Sequence, residues 1–443
     1  MEDNRTSLLS KAEKLSQLRH YRQTWRHIGR QDQKFTAEVV PIHDGPAWEF
    51  AGGVLAQCVG TKAIEFKQLP SSLRGVKAQT WTTQLGTNIV DFTADPGQDL
   101  LVTIQAPRKK ECKIRFLSMS TGNRHREARK EMVSFERNST TRPTTHEIRI
   151  SGPYVGVLTK EIHSRAAWCH ISIWDWHTGE TIFAVTHPYW SFCFLDEHYL
   201  LLADFITPTG TAHSEGTLVA LDLNNPQERW SFKLPACVAD GTSVYSMELL
   251  CEPGSRYTPP PNQDAPFHVS RENRLVVLIM HVTDDRIAED HAITFSMLAS
   301  RILTCMHERE NEDQRLIRWQ DWGEQNCRAA FTPVFWEGVW PCCVYGMKHV
   351  MQEEGCIVIH DYNPHAIQER IHTPDGAVPD GETLVTEKSG LEENPFSVPV
   401  LTSLPYRKIK TSLIMSEIDS VMLSEDSIVV VADEEESFYI KSL

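Results

Sequence analysis

The stretch from His170 to Ile182, HISIWDWHTGETI, constrains the fold more than any other part of the chain. In Ile171-Ser-Ile-Trp-Asp-Trp176 the residues are mostly β-branched or aromatic, which suits a pleated, half-buried surface. Alternation sends Ile171, Ile173 and Asp175 to one face and Ser172, Trp174 and Trp176 to the other. Both faces carry apolar bulk, so the segment reads as a strand covered on both sides. His177-Thr178-Gly179-Glu180 then turns the chain, with Gly179 supplying the positive φ such a turn takes. Tyr154-Val-Gly-Val-Leu158 reads as its upstream partner.

Imperfect copies of this unit recur. Gly53–Gln57 goes with Ala63–Phe66, and Leu100–Ile104 with Ile114–Met119 and the turn Thr121-Gly122. Tyr199–Ala203 goes with Thr217–Leu223, and Leu275–Ile279 with Ile293–Phe295. Cys356–Tyr362 ends in the turn Asn363-Pro364, and Ile428–Val431 goes with Phe438–Ile440. Seven units at a spacing of roughly 45–80 residues predict an all-β, WD-like β-propeller of seven blades, six or eight being the neighbouring solutions. An irregular pair of β-sandwiches is the competing arrangement. One toroid of this kind absorbs most of a 443-residue chain. Twelve tryptophans are available for packing blade on blade.

Residues 1–30 read as an N-terminal helix, 31–47 as a connector and 48–443 as the propeller. Leu8, Ala12, Leu15, Leu18, Tyr21, Trp25 and Ile28 fall three or four apart, one stripe of an amphipathic helix from about Leu8 to Arg30. Ser10-Lys-Ala-Glu13 has the form of a capping box and Gly29 of a stop. Three irregular stretches interrupt the repeat. Cys251–His268 holds Pro253, Pro259-Pro260-Pro261 and Pro266; Glu308–Asp313 is a charge run; Thr373–Ser403 is rich in Pro, Gly, Glu and Asp.

A net charge of −15 speaks against general nucleic-acid binding. The exception is Arg108 to Lys130, with Arg108-Lys109-Lys110 and Arg124–Lys130, which reads either as a face for an acidic partner or as a solvated edge protected by charge. No apolar run is long enough to span a membrane. Eleven scattered cysteines without a C-x-x-C pair or an apolar leader fit a reduced cytoplasmic or nuclear compartment, where the sequons at Asn4 and Asn138 mean little. Cys342-Cys343 reads as core. No nucleophile elbow or phosphate loop is present, and His307-Glu308 lacks the second histidine of a zinc helix. The chain is therefore expected to be a monomer without enzymatic activity, metal or cofactor. The alternative is a hydrolase or lyase acting in the central channel, marked by two or more buried carboxylates or histidines from different blades.

Several segments in order resemble fungal F-box proteins with a C-terminal WD-like propeller. The helix carrying Leu15, Leu18, Tyr21 and Trp25 is similar to the helix that follows the F-box. Trp48–Gln57 resembles the family's first propeller strand, and Ile173-Trp174-Asp175-Trp-His-Thr-Gly179 its repeated element. Trp319-Gln-Asp-Trp322-Gly323 with Arg328 resembles its W-x-x-W-G…R signature. Val344–Gly346 and Ile359-His-Asp361-Tyr-Asn-Pro364 resemble its Y-G and D-F-N-P elements; Lys348 and Tyr362 stand where Arg and Phe are usual. The resemblance implies the substrate-receptor part of an SCF-type ubiquitin ligase, the propeller holding a protein target. No L-P-x-E-[IL]-like F-box start precedes the helix, so a Skp-type adaptor is not expected among the partners.

Overall fold

Seven sheets of four or five strands, antiparallel except where Leu316–Ile317 joins the fourth in parallel, succeed one another along the chain in this computed structural model. The structure describes residues 1–5, 7–28, 36–105, 110–137, 143–161, 168–206, 215–237, 242–259, 265–284, 289–309, 315–332, 342–353, 355–374, 378, 380–391, 395–414, 420–432 and 436–443. The helix stop expected at Gly29, the cations Arg108 and Lys109, the sequon at Asn138, prolines 260 and 261 and the charges at 310, 312 and 313 lie outside these residues.

Each repeat read from the sequence supplies inner strands of one blade. In blade 3 the strands are Thr144–Ser151, Tyr154–Glu161, Cys169–Asp175 and Glu180–Thr186, hydrogen-bonded in that order. The two faces of its third strand enter different cores. Ile171 and Ile173 pack with Phe192, Leu200 and Leu202 of blade 4. Trp174 and Trp176 pack with Val102, Ile114 and Phe116 of blade 2. The same division holds around the molecule: separate apolar cores join blades 1 and 2, 4 and 5, and 5, 6 and 7. A last core, holding Phe50 and Leu55 of blade 1 with Met422, Val429 and Phe438 of blade 7, completes the circle. Each sheet is thus sandwiched by two others, as a propeller demands.

Closure is the main difference from the expected layout. Thr36–Pro41, read as part of a connector, is the fourth strand of blade 7 and pairs antiparallel with Ser437–Ser442. The ring therefore begins at Thr36 and not at Trp48. The strand escaped notice because only Val40 of its six residues is buried. Helix α1 spans Lys11–Arg26, shorter than predicted; the Ser10–Glu13 capping box is formed, while Leu8 and Leu15 remain exposed. Its buried end, Tyr21 and Trp25 with Ile28 just beyond, joins the core of blades 5 to 7. Three helices sit in the later blades: α2 (Ala299–Glu308), α3 (Trp319–Asn326) and α4 (Pro364–Ile371). Asn363-Pro364, expected as a turn, is the start of α4: the Asn363 side chain accepts from His365 N, and proline suits the first helical position. Within the 373–403 stretch, Glu382–Val385 adds an outer strand to blade 6.

The first-to-second and third-to-fourth strand turns lie on one rim, called the front rim below. The irregular segment after Leu250 crosses this rim. Gly346 N donates to Glu252 O at 2.8 Å, Ser151 and Ser255 hydroxyls meet at 2.6 Å, and Arg256 pairs with Glu197 at 2.8 Å. At blade 2 the approach is so close that a Cβ on Gly97 would lie 1.9 Å from Thr258 O. Residues 252–258 thus touch turns of blades 2, 3, 4 and 6 and cover the mouth of the channel.

Candidate functional site

Polar side chains from several blades come together in the channel under residues 252–258 and in a groove on the front rim beside them.

The channel is built from the first strand of each blade. Glu49 lies in blade 1, Asp91 and Thr93 in blade 2, Glu147 and Arg149 in blade 3, and Ser191 in blade 4. Thr93 Oγ1 donates to Glu49 Oε1 at 2.6 Å, and Ser191 Oγ to Glu147 Oε1 at 2.9 Å. Arg149 lies 3.3 Å from Glu147 and 3.4 Å from Glu252. The second oxygens of Glu49 and Glu147 are buried without a hydrogen-bond partner. Burial pushes the Glu49 carboxyl up to about 8, against the hydrogen bond from Thr93. Burial likewise pushes Asp91 up to about 7 and raises Glu252, which Arg149 partly offsets. Carboxyls held protonated near neutral pH are proton donors as well as acceptors. The cavity that Glu49, Arg149, Glu252 and Tyr257 line measures about 40 Å³. That is room for a few waters and not for a drug-sized molecule.

The groove is larger, about 450 Å³, and is lined by Gln98, His177, Glu197, Arg256, Thr258 and Arg271 among others. Arg256 is paired with Glu197 at 2.8 Å and Arg271 with Glu2 at 3.1 Å. Both arginines keep about a third or more of their side chains exposed. The basic segment of blade 2 borders it: Arg129 N donates to His177 O at 2.7 Å, and Lys130 Nζ to Gly179 O at 3.2 Å. Arg126, Arg129 and Lys130 are exposed.

The residues singled out from the sequence do not meet in one site. Trp174 is interblade core, and Asp175 Oδ1 accepts from His177 N and Thr178 N, fixing the turn in which Gly179 has φ +71°. Trp319, Trp322 and Gly323 form α3, packed on blades 4 and 5; Trp322 Nε1 donates to Lys233 O at 3.0 Å, and a Cβ on Gly323 would fall 2.1 Å from the Trp319 ring. Arg328, next to that helix, donates to Leu404 O and Ser389 Oγ and so ties down the 373–403 stretch. Asp361 accepts from Arg407 at 2.8 Å inside blade 6. Glu49, Asp91 and Glu147 were missed because a charge inside a first strand spoils the apolar alternation that marks its neighbours. Among the described residues no group of His, Cys, Asp and Glu is arranged to hold a metal ion, and no helix is long and apolar enough to cross a membrane.

No family model and no curated protein matches the chain. Solved structures match over most of its length at low identity. An uncharacterized protein from Listeria monocytogenes EGD-e is 9% identical, covers 91% of this chain and 97% of its own, and has a TM-score of 0.42. The WD40 domain of SCAP from fission yeast is 10% identical over 93% and 95%, with a TM-score of 0.34. The polysaccharide lyase Uly1 is 8% identical over 95% and 94%, also with a TM-score of 0.34. The expectation of a chain without enzymatic activity is corrected at this point. Enzymatic activity is an open question, because the channel holds buried carboxylate oxygens from two blades, those of Glu49 and Glu147, the mark set for the alternative. The chain is a seven-bladed, WD-like β-propeller.

Proposed function

We propose that the protein is a partner-binding propeller that presents its front rim to an acidic segment of another protein. The observation that carries this reading is the contrast in size and exposure between the two polar places. The channel cavity, at about 40 Å³, is covered by residues 252–258, whereas the groove of about 450 Å³ is open and edged by arginines. A groove of that volume falls in the range of ligand sites, and arginine is the residue best suited to bidentate recognition of carboxylates. The acidic bulk of the molecule makes a basic edge at one rim the more selective for such a partner. Within this reading the target-holding role of an SCF-type ligase receptor, drawn from the family resemblance, is the specific form. The test is capture of partners on the immobilised full chain under mild conditions, beside an R256E/R271E variant. Loss of the same bound proteins from the variant is expected, about tenfold or more; undiminished binding sinks the groove.

A second reading is favoured by one observation of its own. Glu49, Asp91 and Glu147 reach the channel from three blades, two of them pushed toward neutral pH by burial. An enzyme working there uses Glu49 as proton donor. Hydrolysis or elimination of a small substrate that disappears in Glu49→Gln would replace the first reading with this one.

A further inference from the structure

All eleven cysteines are free, and ten of them are buried. Burial pushes the thiols of Cys58, Cys112 and Cys237 up to about 12, which leaves them inert. Cys251 departs in the other direction. A hydrogen bond from Cys193 favours its thiolate, burial opposes it, and the charge of Arg274 favours it again.

The geometry behind this comes from two neighbouring strands. Tyr189–Phe194 of blade 4 and Thr242–Leu250 of blade 5 are consecutive first strands and run in the same sense along the channel. Leu249 N donates to Ser191 Oγ at 2.9 Å. Two residues further along each chain, alternation brings Cys193 opposite Cys251, and both side chains lie in the core between blades 4 and 5. Arg274 is 1% exposed and closes the cluster. Its Nη1 donates to Cys251 Sγ at 3.0 Å and to Phe194 O at 3.2 Å, and its Nη2 to Leu195 O. A guanidinium fixed by the carbonyls of Phe194, Leu195 and Pro253 therefore points one N–H at a sulfur. Glu252 and Pro253, the residues after Cys251, line the 40 Å³ cavity, and hydrogen peroxide is little larger than water.

We propose that Cys251 and Cys193 are a reactive dithiol, Cys251 the sulfur that meets a peroxide and Cys193 the thiol that resolves it into a disulfide. In the first step Cys251 sulfur attacks one peroxide oxygen and the O–O bond breaks. The departing hydroxide leaves as water with a proton, and Cys251 becomes a sulfenic acid. In the second step Cys193 sulfur attacks that sulfur and the S–O bond breaks. A second water leaves with the Cys193 proton. Two thiols and one hydrogen peroxide give one disulfide and two waters; sulfur is oxidised and peroxide oxygen reduced. The bond joins the inner edge of blade 4 to the root of residues 252–258, so oxidation anchors the segment that covers the channel.

The test uses the full-length reduced protein, treated with hydrogen peroxide, alkylated, digested without reductant and read by mass spectrometry. A Cys193–Cys251 linked peptide is expected to form about tenfold faster than any other cysteine oxidises, and to disappear with dithiothreitol. In Cys193→Ser, unfolded into dimedone after the peroxide treatment, Cys251 is expected to carry the label, because the sulfenic acid has lost its resolving partner. Oxidation of any other cysteine while Cys193 and Cys251 stay reduced in the folded wild-type protein overturns the assignment. So does a linked peptide that forms only in urea. The wild-type experiment decides even where the serine variant does not fold. Neither outcome bears on the front-rim groove.

Discussion

Glu49 illustrates what one buried side chain does to the pH response. Its carboxyl is raised by burial from 4.5 to about 8. Between those values the unfolded chain has released a proton that the folded chain keeps, so folding loses stability as pH rises across the window. The full difference is damped because the cavity beside Glu49 has room for water, leaving a cost on the order of 2 kcal/mol. Glu49→Gln is expected to flatten the dependence, gaining stability relative to wild type at pH 8 and little at pH 4.5, as read from urea midpoints at both values. This residue was illegible in the sequence: Trp48-Glu-Phe identified a strand, but nothing in one chain shows which glutamates from separate blades face a common axis. Ser10 and Glu13 were legible because a capping box is local, both partners lying within one turn.

Strands divide sharply by how much of the fold they disclose. Second and third strands of each blade are apolar on both faces, as at Ile171–Trp176 and Cys356–Asp361, where every residue of the latter is buried. Those strands fixed the blade count. The first strands of blades 1 to 3 carry charges, and outer strands are half in solvent, so neither kept a readable period. Thr36–Pro41 is the extreme case, with Val40 its one buried side chain yet covering the edge Ser437–Ser442. Val40→Asp puts an unpaired charge into the core shared by blades 7 and 1. It is expected to cost about 3 kcal/mol, seen as a lowered denaturant midpoint. Light scattering should rise with it, because the freed edge pairs with other molecules.

At the scale of the molecule, charge works in two senses. A net −15 repels an acidic partner at long range, while Arg256, Arg271 and the exposed cations of blade 2 attract it at contact. Salt screens the distant term first, since the Debye length is about 10 Å at 0.1 M. Association with an acidic peptide is therefore expected to speed up between about 0.02 and 0.1 M salt, while affinity falls above about 0.5 M. Stopped-flow rates and equilibrium titration separate the two; a rate that only declines with salt argues against an acidic partner. Ring closure was readable at this scale only as a necessity, since a row of sheets with two covered faces has to meet itself.

The strand that completes blade 7 leaves the ribosome long before the one it pairs with. Pro41 and Ser437 are partners separated by nearly four hundred residues, which at 5–20 residues per second is about 20–80 s of translation. During that interval Thr36–Pro41 is a hydrogen-bonding edge without its mate, and only the last hydrophobic segment to emerge retires it. Nascent chains stalled before Ser437 should thus engage chaperones far more than finished ones.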